Sequence, residues 1–265
     1  MTDVRDHWAA GSSYENFMGR WSRLLAAEYV RWIDSPVGLR WLDVGCGTGS
    51  LARAICEIAD PVTVVACDPA EPFVEFASTE PHDPRITYQV SGTGGLPRSD
   101  IGYDAVVSLL ALNFFPDPLE GLQEMKSLAN DGAIVSACVW DYADGMEFLR
   151  IFWDAAVSLD PSAMEFDEGR RFPICSRERL EDLFRGAGLA EVICEPVEIT
   201  TKFSSFNDYW QPLLGGTGPA PRYFTSLEAA GRERLRESIR KDLCTGDNDT
   251  IELKAVSWAV RGRTE

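Results

Sequence analysis

The stretch Trp41-Leu42-Asp43-Val44-Gly45-Cys46-Gly47-Thr48-Gly49-Ser50-Leu51-Ala52 decides the fold. It begins as an apolar strand, continues through a turn with glycine at every second position, and ends as the start of a helix. Glycines let the backbone turn tightly and lie against a ligand, while the free N–H groups at a helix start favour an anionic group. The stretch therefore predicts a ligand-binding turn at the carboxyl end of a parallel strand.

Short apolar runs rich in β-branched residues alternate with amphipathic segments on both sides of this turn. The first five predicted strands are Leu39–Val44, Val62–Cys67, Arg85–Val90, Ala105–Leu110 and Ala133–Trp140. The helices predicted between them are Gly49–Ile58, Glu71–Ser78 and Leu119–Ala129. This rhythm predicts an α/β doubly wound fold, in which helices cover both faces of a mostly parallel sheet.

The pattern changes after residue 140 and becomes mainly helical. The helices predicted there are Gly145–Leu159, Arg177–Arg185, Ser204–Leu214 and Pro221–Cys244. Two more strands are predicted, Glu191–Thr200 and Thr250–Val260. The sheet would then have seven strands.

Composition excludes several classes of protein. The chain of 265 residues has 42 Asp and Glu against 25 Lys and Arg, a net charge of −17, which argues against nucleic acid or an anionic membrane as a partner. The seven cysteines are odd in number and show no C-x-x-C spacing, so we expect reduced thiols rather than disulfides or a zinc site. With no signal peptide and no long apolar stretch, we expect a cytoplasmic protein.

A carboxylate follows the next predicted strand. Asp68 lies 19 residues after Gly49, where it can accept hydrogen bonds from both ribose hydroxyls of a nucleoside. To this point the ligand could be NAD or S-adenosylmethionine. The third glycine of the dinucleotide fingerprint would fall at Ser50, and Asp43 beside a pyrophosphate would be repelled, whereas beside an ammonium and a sulfonium it would be attracted.

Further segments follow the turn in an order that matches one family. They are Val64–Pro69, Leu96-Pro97, Tyr103–Ser108, Leu112–Asp117 and Gly132–Val135, preceded by Tyr14 and Met18–Trp21. With Leu42–Gly49 they resemble the class I S-adenosylmethionine-dependent methyltransferases, especially the small-molecule branch that includes ubiquinone and menaquinone biosynthesis methyltransferases. The resemblance implies a Rossmann-like methyltransferase fold with strand order 3-2-1-4-5-7-6 and an antiparallel last strand.

The resemblance also implies a division of the chain. Residues 1–37 would form an N-terminal helical lid, 38–200 the Rossmann-like cofactor-binding core, 201–249 a helical substrate cap, and 250–265 the final strand of the core.

By the same resemblance, S-adenosylmethionine would be the cofactor and S-adenosylhomocysteine the product. Asp43 would face the ammonium group, Asp68 the ribose and Pro69 the adenine, while Arg20 would be a candidate for the carboxylate. The cofactor residues that the resemblance implies are Tyr14, Arg20, Trp21, Asp43, Gly45, Cys46, Gly47, Gly49, Asp68, Pro69, Gly92, Thr93 and Leu109.

The chain departs from the family pattern at two positions. Gly92 stands where an aspartate usually receives the adenine amino group, so we expect altered adenine contacts through the backbone of Gly92 and through Thr93. Asn113 stands where a histidine is common, so an imidazole base is absent there.

Candidates for chemistry lie near the ends of the later strands. Asp141 and Tyr142 follow the fifth strand, where ligands of doubly wound folds bind, and His7 could approach with the lid. The substrate candidates are Asn113, Trp140, Phe172, Tyr209 and Trp210.

The resulting hypothesis is methyl transfer from S-adenosylmethionine to O, N or C of a small molecule, mainly by positioning the acceptor in line with the methyl group. A non-methylating S-adenosylmethionine-assisted enzyme and a non-catalytic S-adenosylmethionine-binding sensor are the alternatives. We expect a monomer or homodimer.

Overall fold

A seven-stranded sheet forms the centre of the computed structural model, which describes residues 18–215, 218–243 and 250–265. The strands are β1 (Arg40–Val44), β2 (Thr63–Asp68), β3 (Ile86–Val90), β4 (Tyr103–Leu109), β5 (Ala129–Trp140), β6 (Ala190–Phe203) and β7 (Ile251–Arg263). Their order is β3-β2-β1-β4-β5-β7-β6, and β7 runs antiparallel to both of its neighbours. The predicted fold class, strand order and antiparallel last strand are confirmed.

Helices connect the strands and cover both faces of the sheet. They are α1 (Arg20–Ile33), α2 (Ser50–Ile58), α3 (Glu71–Thr79), α4 (Pro118–Leu128), α5 (Glu147–Leu159), α6 (Glu168–Arg171), α7 (Arg177–Gly186), α8 (Phe206–Trp210), α9 (Pro219–Ser226) and α10 (Ala229–Leu243). Short 3₁₀ helices occupy Leu112–Phe114, Pro161–Glu165 and Gln211–Gly215. Among the described helices, none combines the length and apolarity that crossing a membrane requires.

The central strands are buried on both faces, which explains why they form continuous apolar runs. In β1, Trp41 and Leu42 are completely buried, and Asp43 lies among them with no exposed surface. A buried hydrogen bond joins helix α1 to the sheet: the Tyr29 hydroxyl donates to the Ser136 hydroxyl of β5 at 2.6 Å. Because β1 is parallel to β2 and to β4, the carboxyl ends of these three strands meet at one edge of the sheet.

Two regions differ from the predicted helices. The segment predicted as Ser204–Leu214 is helical only to Trp210 before it tightens into a 3₁₀ helix, and the predicted Pro221–Cys244 helix is interrupted between α9 and α10. Between α5 and α7, where no element was predicted, Asp160 and Asp167 cap two short helical turns through their side chains. The second of these two turns is α6.

Candidate functional site

A cavity of about 270 Å³ opens at the carboxyl edge of the sheet. One end is formed by the turn after β1, the end of β2 and the loop after β3. The other end is formed by aromatic side chains that follow β4 and β5 and by the segment around α6. The cavity therefore joins a polar end to an apolar end.

The glycines after β1 allow the backbone to approach its neighbours closely. Gly45 has a φ of +77°, and a Cβ added there would lie 2.3 Å from the Ala111 Cβ. Gly49 has a φ of +85°, and its added Cβ would lie 2.4 Å from the Tyr88 hydroxyl oxygen. Side chains at these positions would meet both backbone strain and steric overlap, so the turn depends on glycine.

The Asp68 carboxylate is held at the mouth of the polar end. Oδ2 accepts a hydrogen bond of 2.9 Å from the Gly47 backbone N–H, and Oδ1 accepts one of 2.8 Å from the Ala70 backbone N–H. Burial raises the pKa of Asp68, and the two backbone donors oppose that rise. Each oxygen retains a lone pair, so the pair of oxygens can also accept from two neighbouring hydroxyl groups.

Asp43 is a buried carboxylate that lacks compensation within the described part of the chain. Neither oxygen meets a donor at hydrogen-bonding geometry, although it lines the cavity. Burial is the main cause that raises the pKa of Asp43 to about 8, and the nearby Asp68 charge adds to the rise. The Ala52 backbone N–H lies close enough to oppose the rise, but it does not reach hydrogen-bonding geometry. A buried carboxylate in this state favours a cationic ligand group.

Most of the other predicted cofactor residues also line the cavity. They are Gly45, Cys46, Gly47, Pro69, Gly92, Thr93 and Leu109. Gly49 lies directly behind them as the N-cap of α2. The Cys46 thiol is buried, and burial raises its pKa far above the usual range, so it stays protonated.

The predicted lid residues lie elsewhere. The Arg20 Nη1 donates a 2.9 Å hydrogen bond to Asp208, and its guanidinium lies 4.3 Å from the Trp21 ring centroid and 4.8 Å from that of Phe203. Neither Arg20 nor Trp21 lines the cavity, because β6 and α8 hold both side chains. Met18 and Ser22 line it instead. The predicted residues Tyr14 and His7 lie outside the described residues.

Aromatic side chains enclose the apolar end. Trp140 and Phe172, which are predicted to contact the substrate, line it together with Tyr142, which is predicted to take part in catalysis. The Phe172 ring contacts Tyr142 with centroids 5.8 Å apart and Phe114 with centroids 5.1 Å apart. These rings make a wall suited to a flat or apolar ligand body.

Four other candidates lie away from this wall. The Asp141 Oδ1 accepts a 3.2 Å hydrogen bond from the Asp144 backbone N–H. Asn113 is buried, and neither atom of its amide group meets a hydrogen-bond partner among the described residues. In the predicted cap, Tyr209 donates a 2.8 Å hydrogen bond to the Phe148 carbonyl.

Trp210 is the fourth, and its ring stacks on Phe206 with centroids 5.8 Å apart. It does not line the cavity, and neither do Asp141, Asn113 or Tyr209. For Tyr209 and Trp210 the reason is the packing of α8 against β6 and α5, which fills their surroundings with protein.

Among the described cavity residues that were not predicted, Glu168 is the one with an ionisable side chain. Glu168 is 4% exposed and lines the apolar end, where its Oε2 accepts a 2.5 Å hydrogen bond from the Trp153 indole N–H. Burial raises the pKa of Glu168 to about 7. The only sequence signal was Asp167 as a helix-capping residue directly before it.

Comparisons with known proteins agree with this geometry. The model of the family described as "Methyltransferase domain" matches residues 14–194. The ubiquinone biosynthesis O-methyltransferase of Dinoroseobacter shibae is 34% identical over 119 residues, which are 43% of this chain and 47% of that protein. The demethylmenaquinone methyltransferase of Porphyromonas gingivalis is 30% identical over 135 residues, 48% of this chain and 55% of that protein. The chain spans about half the length of the curated relatives it matches.

A solved structure shows the same fold. The Haemonchus contortus phosphoethanolamine N-methyltransferase 2, in complex with S-adenosyl-L-methionine, superimposes with a TM-score of 0.57 at 17% identity. The superposition covers 96% of this chain and 57% of that chain.

Proposed function

Since the chain belongs to the S-adenosylmethionine-dependent methyltransferase family, whose domain model matches residues 14–194, we propose that it transfers a methyl group to O, N or C of a small molecule. One observation carries the proposal. Two buried carboxylates, Asp43 and Asp68, lie on either side of a glycine turn in one cavity, and aromatic rings form the opposite end of that cavity.

The family's cofactor, S-adenosylmethionine, fits the residues of the polar end. Asp43 would hold the ammonium group, because its carboxylate is buried and meets no hydrogen-bond donor in the described part of the chain. Asp68 would accept from the ribose hydroxyls with the lone pairs that Gly47 and Ala70 leave available. Pro69 would lie against the adenine. When bound, the cofactor supplies a methyl group on a sulfonium, which is a good leaving group.

The loop after β3 supports altered adenine contacts. Gly92 and Thr93 line the cavity, and a Cβ added to Gly92 would lie 3.0 Å from the Pro69 Cβ. A larger residue at position 92 would press on the prolyl ring. Gly92 has no side chain with which to accept from the adenine amino group, so recognition there falls to backbone groups and to Thr93.

The protein's own contribution to the reaction is positioning. Trp140, Tyr142 and Phe172 would hold the acceptor body, and Leu109 would separate it from the polar end. Transfer from a sulfonium needs a straight approach at about 3 Å, and a fixed geometry can supply many orders of magnitude in rate. A cavity walled by buried apolar side chains also keeps water from the reacting atoms.

The acceptor end of the cavity is covered mainly by the segment between β5 and α7. Of the described residues in the predicted cap, only Pro219 lines the cavity. Tyr142, Leu149, Glu168 and Phe172, all located between β5 and α7, line it as well. We therefore propose that the segment 142–172 forms the acceptor cover, together with the start of α9.

Turnover tests the proposal. The purified protein is incubated with S-adenosylmethionine and a panel of amines, phenols and carbon acids, and S-adenosylhomocysteine release is measured by mass spectrometry. We expect release that depends on an acceptor and falls at least about tenfold in Asp68→Ala, whereas the exposed control Glu57→Ala retains it. Cofactor binding without release across the panel would instead support the sensor alternative.

A further inference from the structure

We infer that the acceptor is an apolar amine and that Glu168 binds its cationic nitrogen and then removes a proton from it. The inference rests on the proposed function, because it assigns the acceptor class of the same cavity.

Glu168 is placed and oriented by its neighbours without being neutralised by them. Asp167, the preceding residue, caps α6. Its carboxylate accepts two hydrogen bonds from the Arg150 guanidinium, one from Nη1 to Oδ2 at 3.0 Å and one from Nη2 to Oδ1. Glu168 has no such partner among the described residues, and its hydrogen bond comes from the Trp153 indole. The indole fixes the carboxylate against the cavity.

The charges near Glu168 leave it available to a cation. The pKa of Glu168 is raised to about 7, and burial is the largest cause. The backbone N–H of Glu168, the Trp153 indole and the Arg171 charge oppose this rise, whereas the Asp167 charge adds to it. The Arg171 guanidinium lies 5.1 Å from the Phe172 ring centroid. The tyrosines packed nearby are Tyr142, which lines the cavity, and Tyr223, whose ring centroid lies 5.7 Å from that of Trp153.

The charge balance of the whole cavity points the same way. Three carboxylates, those of Asp43, Asp68 and Glu168, line it, while no Arg, Lys or His of residues 18–215, 218–243 and 250–265 does. A bound cofactor adds an ammonium, a sulfonium and a carboxylate, which is one net positive charge. Asp43 is protonated near neutral pH in the ligand-free protein, and the cofactor's ammonium would favour its ionised form. An acceptor with a second positive charge offsets the negative charge that remains, whereas an anionic acceptor would increase the repulsion.

The aromatic wall suits the same ligand. Trp140, Tyr142 and Phe172 line the end that Glu168 occupies, and ring faces attract ammonium groups as well as covering an apolar body. A carboxylate opposite aromatic rings distinguishes an amine from an alcohol of the same shape, because only the amine brings a charge that both features stabilise.

The chemical step balances with Glu168 as the base. The ammonium of the acceptor gives one proton to the Glu168 carboxylate and regains its nitrogen lone pair. The N–C bond to the methyl carbon then forms as the C–S bond breaks, and the electron pair of that bond stays on sulfur to give the thioether. The methylated amine leaves as a cation, and Glu168 returns its proton to water.

Ligand preference tests the inference. Wild type, Glu168→Gln and the exposed control Glu165→Gln are loaded with S-adenosylhomocysteine and titrated with six amine and alcohol pairs of matched skeleton, beginning with 2-phenylethylamine and 2-phenylethanol. We expect wild type and the Glu165 variant to prefer the amines by at least about tenfold, and the Glu168 variant to prefer them by less than about twofold.

A second readout follows the carboxylate itself. In ¹⁵N-tryptophan-labelled protein, the Trp153 indole resonance, assigned with Trp153→Phe, should titrate in wild type and not in the Glu168→Gln variant. Binding of 2-phenylethylamine should move that titration to lower pH, because a cation favours the ionised carboxylate.

Three results would overturn the inference: no amine binds the loaded wild type, alcohols bind as tightly as amines, or the Glu168 variant keeps the preference. Each of these leaves methyl transfer standing. Failure of wild type to bind S-adenosylhomocysteine would instead count against the proposed function.

Discussion

Replacing Asp43 with asparagine should change how the stability of the ligand-free protein depends on pH. In the folded protein, burial raises the pKa of Asp43 from 3.8 to about 8. Each tenfold difference in proton affinity is worth about 1.4 kcal/mol, so ionising Asp43 in the folded state costs on the order of 5 kcal/mol. The folded protein therefore binds a proton that the unfolded chain releases.

This difference in proton binding makes the free energy of unfolding fall as the pH rises. The stabilisation that the protonated form provides is fully present below about pH 4 and is lost as the pH rises toward 8. Between pH 5 and pH 8 we expect the free energy of unfolding of wild type to fall by about 3–4 kcal/mol more than that of Asp43→Asn. The cost of burying the asparagine amide is the same at each pH and cancels from this comparison.

Urea unfolding of both proteins at four pH values from 5 to 8 measures the difference. Asp131→Asn, on an exposed residue, serves as the matched control and should follow wild type. Parallel pH profiles for wild type and Asp43→Asn would contradict the prediction, because they would mean that burial does not raise the pKa of Asp43 in the folded protein.

Three further substitutions separate the turn, the ribose contact and the N-terminal helix. Gly45→Ala should destabilise the fold by about 2–4 kcal/mol in urea, since its Cβ would overlap Ala111 at a positive φ; near-wild-type stability would contradict the close approach. Asp68→Ala should weaken S-adenosylhomocysteine binding by about 1–3 kcal/mol in calorimetry, and unchanged affinity would remove the ribose assignment. Trp21→Ala should lower stability by about 3–5 kcal/mol by removing its packing on Phe203, with little loss of cofactor affinity; the opposite pattern would restore Trp21 as a cofactor contact.

The fold could be predicted from sequence because its determinants are local. The β-branched runs specify strands, and the glycine turn after β1 specifies the edge where the ligand cavity forms. Asp43 and Asp68 were predicted for the same reason, since each occupies a fixed position relative to the end of a buried strand. Their burial follows from the doubly wound arrangement itself.

The apolar end of the site depends on contacts between distant segments. Glu168 lies in a segment without strand or helix periodicity, and its burial results from packing against Trp153 of α5. Likewise, Arg20 is drawn away from the cavity by Asp208, 188 residues later in the chain. Neither contact has a signature in the sequence near the residue concerned.

Calorimetric titration of the wild-type protein with S-adenosylhomocysteine, and separately with NAD, tests the central claim most directly. We predict saturable binding of S-adenosylhomocysteine at one site per chain and no binding of NAD. Both ligands carry ribose for Asp68, but Asp43 favours an ammonium group beside it over a pyrophosphate. Saturable NAD binding without binding of S-adenosylhomocysteine would contradict it.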